Sequence, residues 1–283
     1  MLFKRKYLYV FFAASVIFCI NPALAENPAS HDTPWEKFNV NLGYFISNVD
    51  TDFSLGSGVG LIVNVEDLLG LDTTENVFRI DGSWRFSDNR RHRFDLTWFS
   101  FRRDGSKTVE RDFTIKDEDG NEITVPAGSQ VTSKFNLDIY RAAYSYSFLQ
   151  DDRIDLAFSI GAYVMPIEIG LNATGLINVD ETERFTAPLP TLGLRMDFAI
   201  TPKWFIRSGF EIFYVEIKEF TGTLYESNVA IEYIPWKHLG FGLAANVFNL
   251  SIEADGEDYP GIDFKGEFDF RYSGLLLYAK MPF

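Results

Sequence analysis

Cysteine is nearly absent, with Cys19 alone in 283 residues. A disulfide framework and a thiolate zinc site are therefore excluded. Histidine is scarce too: His31, His92 and His238 are the whole supply for imidazole chemistry. Positive charge is in deficit, since 26 Lys and Arg stand against 40 Asp and Glu, a formal net charge of −14. Nucleic acid needs a basic surface, so that class of partner is excluded. Only one apolar stretch approaches spanning length, at the N-terminus, so a bundle of transmembrane helices is excluded as well. Gly and Pro are ordinary at 21 and 11 residues, unlike collagen-like chains. What is abundant is aromatic: Phe, Trp and Tyr make up 16% of the chain, with 28 Phe, and disordered chains are poor in such residues.

The N-terminal stretch MLFKRKYLYVFFAASVIFCINPALA reads as an export signal. Lys4, Arg5 and Lys6 form a basic n-region, Tyr7 to Ile20 an apolar core, and Ala23-Leu24-Ala25 a small-x-small cleavage pattern. Cleavage is expected before Glu26. Phe18 is too bulky for a lipoprotein signal at Cys19, so no thiol is expected in the processed chain. Three basic residues leave with the signal, so 23 basic and 40 acidic residues remain, a charge of −17. Residues 26–36 are expected to be a short periplasmic segment, and 37–283 the folded body.

From residue 37 on, apolar and polar residues alternate with period two, and no sustained helical period occurs. Phe78-Arg79-Ile80-Asp81-Gly82-Ser83-Trp84-Arg85-Phe86 is one example, and Leu239-Gly240-Phe241-Gly242-Leu243 another. Such segments, with 134–148 and 261–283, predict about ten strands, eight to twelve. The last two change phase near Ile139 and Ser273, where a bulge would restore the facing. Short links (Ser87–Arg91, Leu149–Asp152, Thr201–Lys203, Pro235–His238) alternate with longer ones (Asn48–Glu75, Asp104–Thr132, Asn172–Arg184, Ala254–Pro260), with the short Glu219–Gly222 link as the exception. The predicted fold is all-β: a closed antiparallel transmembrane β-barrel with short periplasmic turns and longer extracellular loops.

A soluble β-sandwich also alternates. Three features favour the barrel. Leu275, Leu277, Ala279, Met281 and Phe283 share one face of the last strand, which ends on an aromatic residue. Trp84, Trp204 and Trp236 fall at short-turn ends, with Trp35 just before the first strand, as an interface girdle would place them. Tyr44, Tyr163, Tyr214 and Tyr225 near the long-loop ends would form a second girdle. Arg-x-Asp recurs at Arg79/Asp81, Arg93/Asp95, Arg153/Asp155 and Arg195/Asp197, and is reversed at Asp269/Arg271. Residues i and i+2 share a strand face. A charge facing lipid costs roughly 2–4 kcal/mol, so these pairs are expected to point into the lumen. Arg85, Arg141, Arg207, Glu211, Glu232 and Lys280 would join them and plug the narrow interior.

On its alternation, its girdle and its last nine residues, the chain resembles small Gram-negative outer-membrane β-barrel proteins. Val65–Asp72, Val77–Phe86 and Asn89–Ser106 are similar to a subgroup of such barrels that carries no known activity. The resemblance implies the cell outer membrane as location, with outer-membrane lipids and lipopolysaccharide as surroundings. It also implies recognition by the barrel-assembly machinery through Leu275, Leu277, Ala279, Met281 and Phe283. Pro282 departs from the usual pattern and is expected to weaken the last ladder bond.

Barrels that act as phospholipases, lipid A-modifying enzymes or omptin-type proteases use His with Ser, Asp or Glu near the outer rim. His31, His92 and His238 all map to the short-turn end, so no catalytic residue is assigned. Lys116-Asp117-Glu118-Asp119-Gly120-Asn121-Glu122 lacks the spacing of a calcium loop, and Asp119-Gly120 reads instead as a hairpin turn between Phe113, Ile115 and Ile123, Val125. Gly56-Ser57-Gly58-Val59-Gly60 lacks the Lys-Ser/Thr of a phosphate loop. No cofactor or metal is expected. The reading is a non-enzymatic barrel of structural or surface-interaction role with a largely plugged lumen. The alternatives are a narrow channel for small or apolar solutes, with Gly161, Gly193, Gly209, Gly240 and Gly242 leaving room inside, and an outer-leaflet lipid-modifying enzyme.

Overall fold

The computed structural model describes residues 34–55, 63–64, 70–110, 112–116, 122–174, 179–218, 220–259 and 262–283. The export signal, His31, the Gly56–Gly60 run and the tip at 117–121 lie outside them. Ten long strands make the barrel: β1 (Phe38–Leu55), β3 (Thr74–Arg85), β4 (His92–Thr108), β7 (Gln130–Gln150), β8 (Ile154–Thr174), β9 (Val179–Thr201), β10 (Trp204–Ile217), β11 (Phe220–Trp236), β12 (Leu239–Tyr259) and β13 (Ile262–Pro282). Each pairs antiparallel with its neighbour in the chain, and β13 pairs with β1, so the sheet closes on itself. The short β2 (Val63–Asn64) lies along β1. β5 (Phe113–Lys116) and β6 (Glu122–Val125) form the hairpin expected around Asp119-Gly120, with Phe113 opposite Val125 and Ile115 opposite Ile123. No helix among the described residues is long and apolar enough to cross a membrane.

The four short turns fall where the sequence places them. The long links are shorter than expected, because the strands run on through them. β8 continues to Thr174 and β9 starts at Val179, while β12 continues to Tyr259 and β13 starts at Ile262. The cause is an inversion of side-chain phase along each strand. On β13, Leu275, Leu277, Ala279, Met281 and Phe283 point outward, as do Phe38, Val40, Leu42, Tyr44 and Ile46 on β1. Above the Ile46–Leu275 pair the outward residues turn polar: Asn48 opposite Ser273, then Asp50 opposite Arg271. The inward residues do the reverse, from Lys280 and Tyr278 below to Tyr272, Phe270 and Phe268 above. β7 repeats this, with Tyr140 to Phe148 outward below and Lys134, Asn136 and Asp138 outward above.

The bulges expected near Ile139 and Ser273 are therefore absent, and the register runs unbroken through both positions. No facing needs restoring, because the surroundings change instead of the strand. The apolar outer band is about nine residues tall on each strand, the height that spans a hydrocarbon layer. Above it each strand is apolar inside and polar outside, like a water-soluble sheet. Register shifts do occur at Ser147/Leu149, Trp204/Phe205, Tyr233/Trp236 and Gly256/Tyr259, at strand ends where bulges are common.

Pro282 does not weaken the closure. Phe38 and Phe283 exchange both backbone bonds, at 3.2 and 2.8 Å. The next pair, Asn39 and Pro282, is then a non-hydrogen-bonded one, where the missing N–H is not called on.

Leu277 lies mid-band and is 63% exposed on the outer face. Leu277→Arg is expected to lower unfolding free energy in lipid vesicles by about 2–4 kcal/mol. Ser273→Arg, four residues higher on the same face, is expected to stay within about 0.5 kcal/mol. Denaturant titration of both variants measures the boundary of the band directly.

Candidate functional site

The interior is built from inward positions of all ten strands and has three levels. At the short-turn end is a small apolar floor of Trp35, Ala199 and Phe205, backed by Ile234. Above it lies a tier of charged and amide side chains. Above that, at the long-loop end, is a large aromatic and aliphatic core that includes Phe45, Phe99, Phe101, Phe135, Phe248, Phe270 and Tyr272. Phe248 stacks on Tyr272 with centroids 4.9 Å apart, and Phe101 meets Phe270 edge-on at 5.5 Å.

The charged tier centres on Asp197. It accepts from Arg85 at 2.9 Å, Arg207 at 3.1 Å and Arg93 at 3.3 Å, and it also pairs with Arg195. Asp155 accepts from Arg85 at 2.6 Å and Arg195 at 3.3 Å. Glu232 accepts from Arg207 at 2.6 Å, Lys280 at 2.9 Å and the Tyr278 hydroxyl at 2.8 Å. One step higher, Arg79 forks onto Asp81 at 2.9 and 3.0 Å, Arg93 donates to Asp95 at 2.7 Å, and Arg141 donates to Glu211 at 3.0 Å. Arg79, Asp81, Arg85, Arg93, Asp95, Arg141, Asp155, Arg195, Asp197, Arg207, Glu211, Glu232 and Lys280 thus point inward, and same-strand pairs form at Arg79/Asp81, Arg93/Asp95 and Arg195/Asp197.

Other expectations are corrected. Arg153 is exposed at the turn, and Asp155 takes its partners from other strands. Asp269 and Arg271 pair at 3.2 Å on the outer wall above the band, because they lie on the long-loop side of the inversion near Leu275. Trp35 does not belong to the girdle. Its side chain is 0% exposed, its Nε1 donates to the Asp151 carbonyl at 2.8 Å, and the Arg85 guanidinium lies 5.8 Å above its ring. Trp84, Trp204 and Trp236 do stand on the outer face at the short-turn end. Tyr163 turns inward and donates its hydroxyl to Glu226, while Trp98 and Tyr140 sit side by side at the upper edge of the band. Two of the five glycines leave no room beside them: Gly242 is overlain by the Tyr278 ring, and a Cβ at Gly193 would meet Ser159 Oγ at 2.6 Å and Glu211 Cγ at 2.8 Å, while Gly209 borders the cavity described below.

Three groups escaped the sequence reading. Glu226 lies between inward Leu224 and Asn228 on β11. Glu36 precedes the first strand yet reaches the lumen, where Arg207 donates to it at 2.6 Å and Lys280 at 3.0 Å. Arg103 is fully buried in the upper core. Where the β3–β4 ladder stops at Arg79–Phe99, Arg103 donates to the Asp72 carbonyl at 2.6 Å and to Thr51 Oγ1 at 3.0 Å, and faces Glu75 at 3.7 Å. Burial pushes the Glu75 carboxyl above its ordinary range, against the pull of Arg103 and with the push of Asp72. Only the phase inversion could have signalled an inward Arg103, since Arg102 next to it is the outward one.

The charged tier lines a cavity of about 160 Å³, bordered by residues that include Arg79, Arg195, Arg207, Asn41, Asn246 and Ser145. Arg79 Nη1, Arg195 Nε, Asn41 Oδ1, Asn246 Nδ2 and Ser145 Oγ have no protein partner there. A polar space this size, with partners of both kinds, holds water. His92 bonds Tyr144 at the foot of the outer wall, at 2.6 Å, and His238 faces the Pro282 carbonyl at 3.0 Å, so neither reaches the cavity. Among the described residues no group of three or more His, Cys, Asp or Glu gathers to hold a metal.

Fold and interior together define a closed ten-stranded antiparallel barrel of the kind found in outer membranes. No protein-family model matches the chain, and no curated protein does. Among solved structures, the outer membrane protease OmpT of Escherichia coli aligns over 89% of this chain and 98% of its own, with TM-score 0.52 and 9% identity. Ail, the attachment invasion locus protein of Yersinia pestis, covers 88% and 100% with TM-score 0.33 and 11% identity. The Pseudomonas putida toluene transporter TodX covers 87% and 90% with TM-score 0.32 and 7% identity. The likeness to OmpT is one of fold, and fold does not carry function.

Removing Asp197 would leave four arginines short of a shared carboxylate in a closed space. Asp197→Ala is expected to cost about 3–5 kcal/mol of unfolding free energy. Asp138→Ala, which breaks the half-exposed Arg102 pair on the outer wall, is expected to cost under about 1 kcal/mol. Urea unfolding in vesicles compares the two.

Proposed function

We propose that the protein is an integral barrel of the Gram-negative outer membrane, exported by its N-terminal signal and non-enzymatic, with a structural or surface-interaction role. The observation that carries this reading is that, among the described residues, side chains fill the lumen at both ends. The Trp35 floor blocks the short-turn mouth, and the aromatic core fills the long-loop half. Between them the paired charges neutralise one another and leave a chamber, not a conduit. Outer-membrane lipids face the apolar band, and the assembly machinery reads the Leu275–Phe283 strand. The part that stands above the band carries the polar outer faces of all ten strands and the β5–β6 hairpin, which is where a binding surface on a rigid scaffold belongs.

The positions of His92 and His238 on the short-turn side support the non-enzymatic reading over a lipid-modifying one. The packed aromatic core supports it over a channel.

Residues 26–283, refolded in detergent, are expected to migrate faster unboiled than boiled, as a closed barrel does. In planar bilayers they are expected to give no stable conductance steps. Large, sustained single-channel currents would overturn the closed-lumen reading while leaving the barrel standing. Monodisperse behaviour in buffer without detergent would overturn both.

A further inference from the structure

Trp35 and Glu36 occupy the short-turn mouth the way a ligand occupies a site. They precede β1 and stand outside the ladder. Apart from packing, they are held by the Trp35 Nε1–Asp151 bond, by Arg90 donating to the Trp35 carbonyl, and by Arg207 and Lys280 on the Glu36 carboxylate. The indole lies against Ala199 and Phe205 under the Arg85 guanidinium, and the carboxylate is gripped by two cations from β10 and β13. We propose that this mouth is a binding site for an aromatic group joined to a carboxylate, and that Trp35–Glu36 is its displaceable resident occupant.

Two features of the wall make withdrawal feasible. Both cations that hold Glu36 keep a second acid: Lys280 stays on Glu232 at 2.9 Å, and Arg207 stays on Glu232 and Asp197. No buried charge is stranded when Glu36 leaves. When Glu36 leaves, Arg207 and Lys280 each lose one carboxylate contact, and an incoming carboxylate restores it. Directly behind the stopper lies the cavity, which Arg207, Glu232 and Asp197 line themselves. Its unpartnered polar atoms mark it as hydrated, so water can follow the stopper in and out. The chamber still ends at the aromatic core, so displacement opens a vestibule toward the short-turn side and leaves the barrier to conduction in place. The proposal concerns this mouth alone and holds independently of the surface role proposed above.

Residues 26–283 contain no cysteine, so one introduced thiol reports on the chamber without background. Ser145 lines the cavity, is buried, and has no partner for its hydroxyl. Refolded Ser145→Cys protein is treated with sulfonatoethyl methanethiosulfonate, and modification is followed by intact mass. Slow labelling is expected. Adding Trp35→Ala with Glu36→Ala is expected to raise the rate by roughly tenfold or more, the factor set by losing charge-assisted hydrogen bonds. Glu36→Gln, which keeps the indole and disturbs folding least, is expected to raise it in the same direction. In the opened variant, acetyl-Trp-Glu-amide is expected to slow labelling again, and acetyl-Trp-Gln-amide is not. Unchanged labelling in both opened variants, with heat-modifiable migration intact, would overturn the stopper. Equal protection by the two dipeptides would overturn the carboxylate site. Loss of heat-modifiable migration in the parent Ser145→Cys protein would instead count against the barrel itself, so the two failures are told apart.

Discussion

Every barrel strand of this protein crosses two solvents, and backbone closure has to hold in both. In hydrocarbon an open sheet edge is not tolerated, because each unsatisfied N–H or C=O costs several kcal/mol. The β1–β13 ladder, from Asn39–Pro282 to Leu55–Gly266, removes that edge along the whole height of the sheet. Once the hydrogen bonding is fixed, only the side chains can adapt to the change of solvent. They do so by exchanging faces near Ile46 and Leu275. Below, the outer wall is Leu, Phe and Tyr and the interior is ionic. Above, the outer wall is Asp, Arg, Asn and Ser and the interior is Phe, Tyr, Leu and Ile. The barrel is thus a membrane protein and a water-soluble β-barrel joined in one register.

The two interiors solve different problems. In the upper half, burial of Phe99, Phe101, Phe135, Phe248 and Phe270 stabilises by the ordinary removal of apolar surface from water. In the lower half that contribution is unavailable, since the apolar residues are committed to the outside. Cross-lumen ion pairs take its place. Buried ion pairs return little net stability against their desolvation cost, although breaking one is expensive. Placing Asp197 where Arg85 of β3, Arg93 of β4, Arg195 of β9 and Arg207 of β10 converge ties distant strands to one acceptor, which a pairwise ladder cannot do.

The sequence made the lower half legible and hid the upper. Arg79-x-Asp81 and Arg93-x-Asp95 stand out because each is flanked by lipid-facing Phe, Leu or Trp, and the period-two contrast is large. At Phe268-Asp269-Phe270-Arg271-Tyr272 the same period is present with the opposite meaning. A one-solvent reading takes the pattern for a broken strand or a bulge. The same reading turned Asp269/Arg271 inward and stopped β8 and β12 short of Thr174 and Tyr259. Trp35 and Glu36 were illegible for another reason. Nothing in a periodic pattern says that residues before the first strand fold back into the lumen, and a tryptophan beside a strand end looks the same whether it meets lipid or plugs a mouth. Glu226 was hidden because its partners come from other strands, the Tyr163 hydroxyl from β8 and the cavity-lining Arg79 and Arg141 from β3 and β7.

The ionic interior also fixes register, which hydrogen bonds alone do not. A strand slipped by one residue keeps most of its ladder but turns every side chain to the other face. For β3 that slip would put Arg79, Asp81 and Arg85 into lipid and Phe78, Ile80 and Trp84 into the charged tier. At roughly 2–4 kcal/mol for each basic residue near mid-bilayer, the arginines alone outweigh any gain from an alternative pairing. Above the band the penalty reverses sign: the slip would expose Phe99 and Phe101 of β4 to water and bury Ser100 and Arg102. Because both halves object to the same slip for opposite reasons, the point of phase inversion is pinned from two sides. This explains why the inversion needs no bulge to mark it.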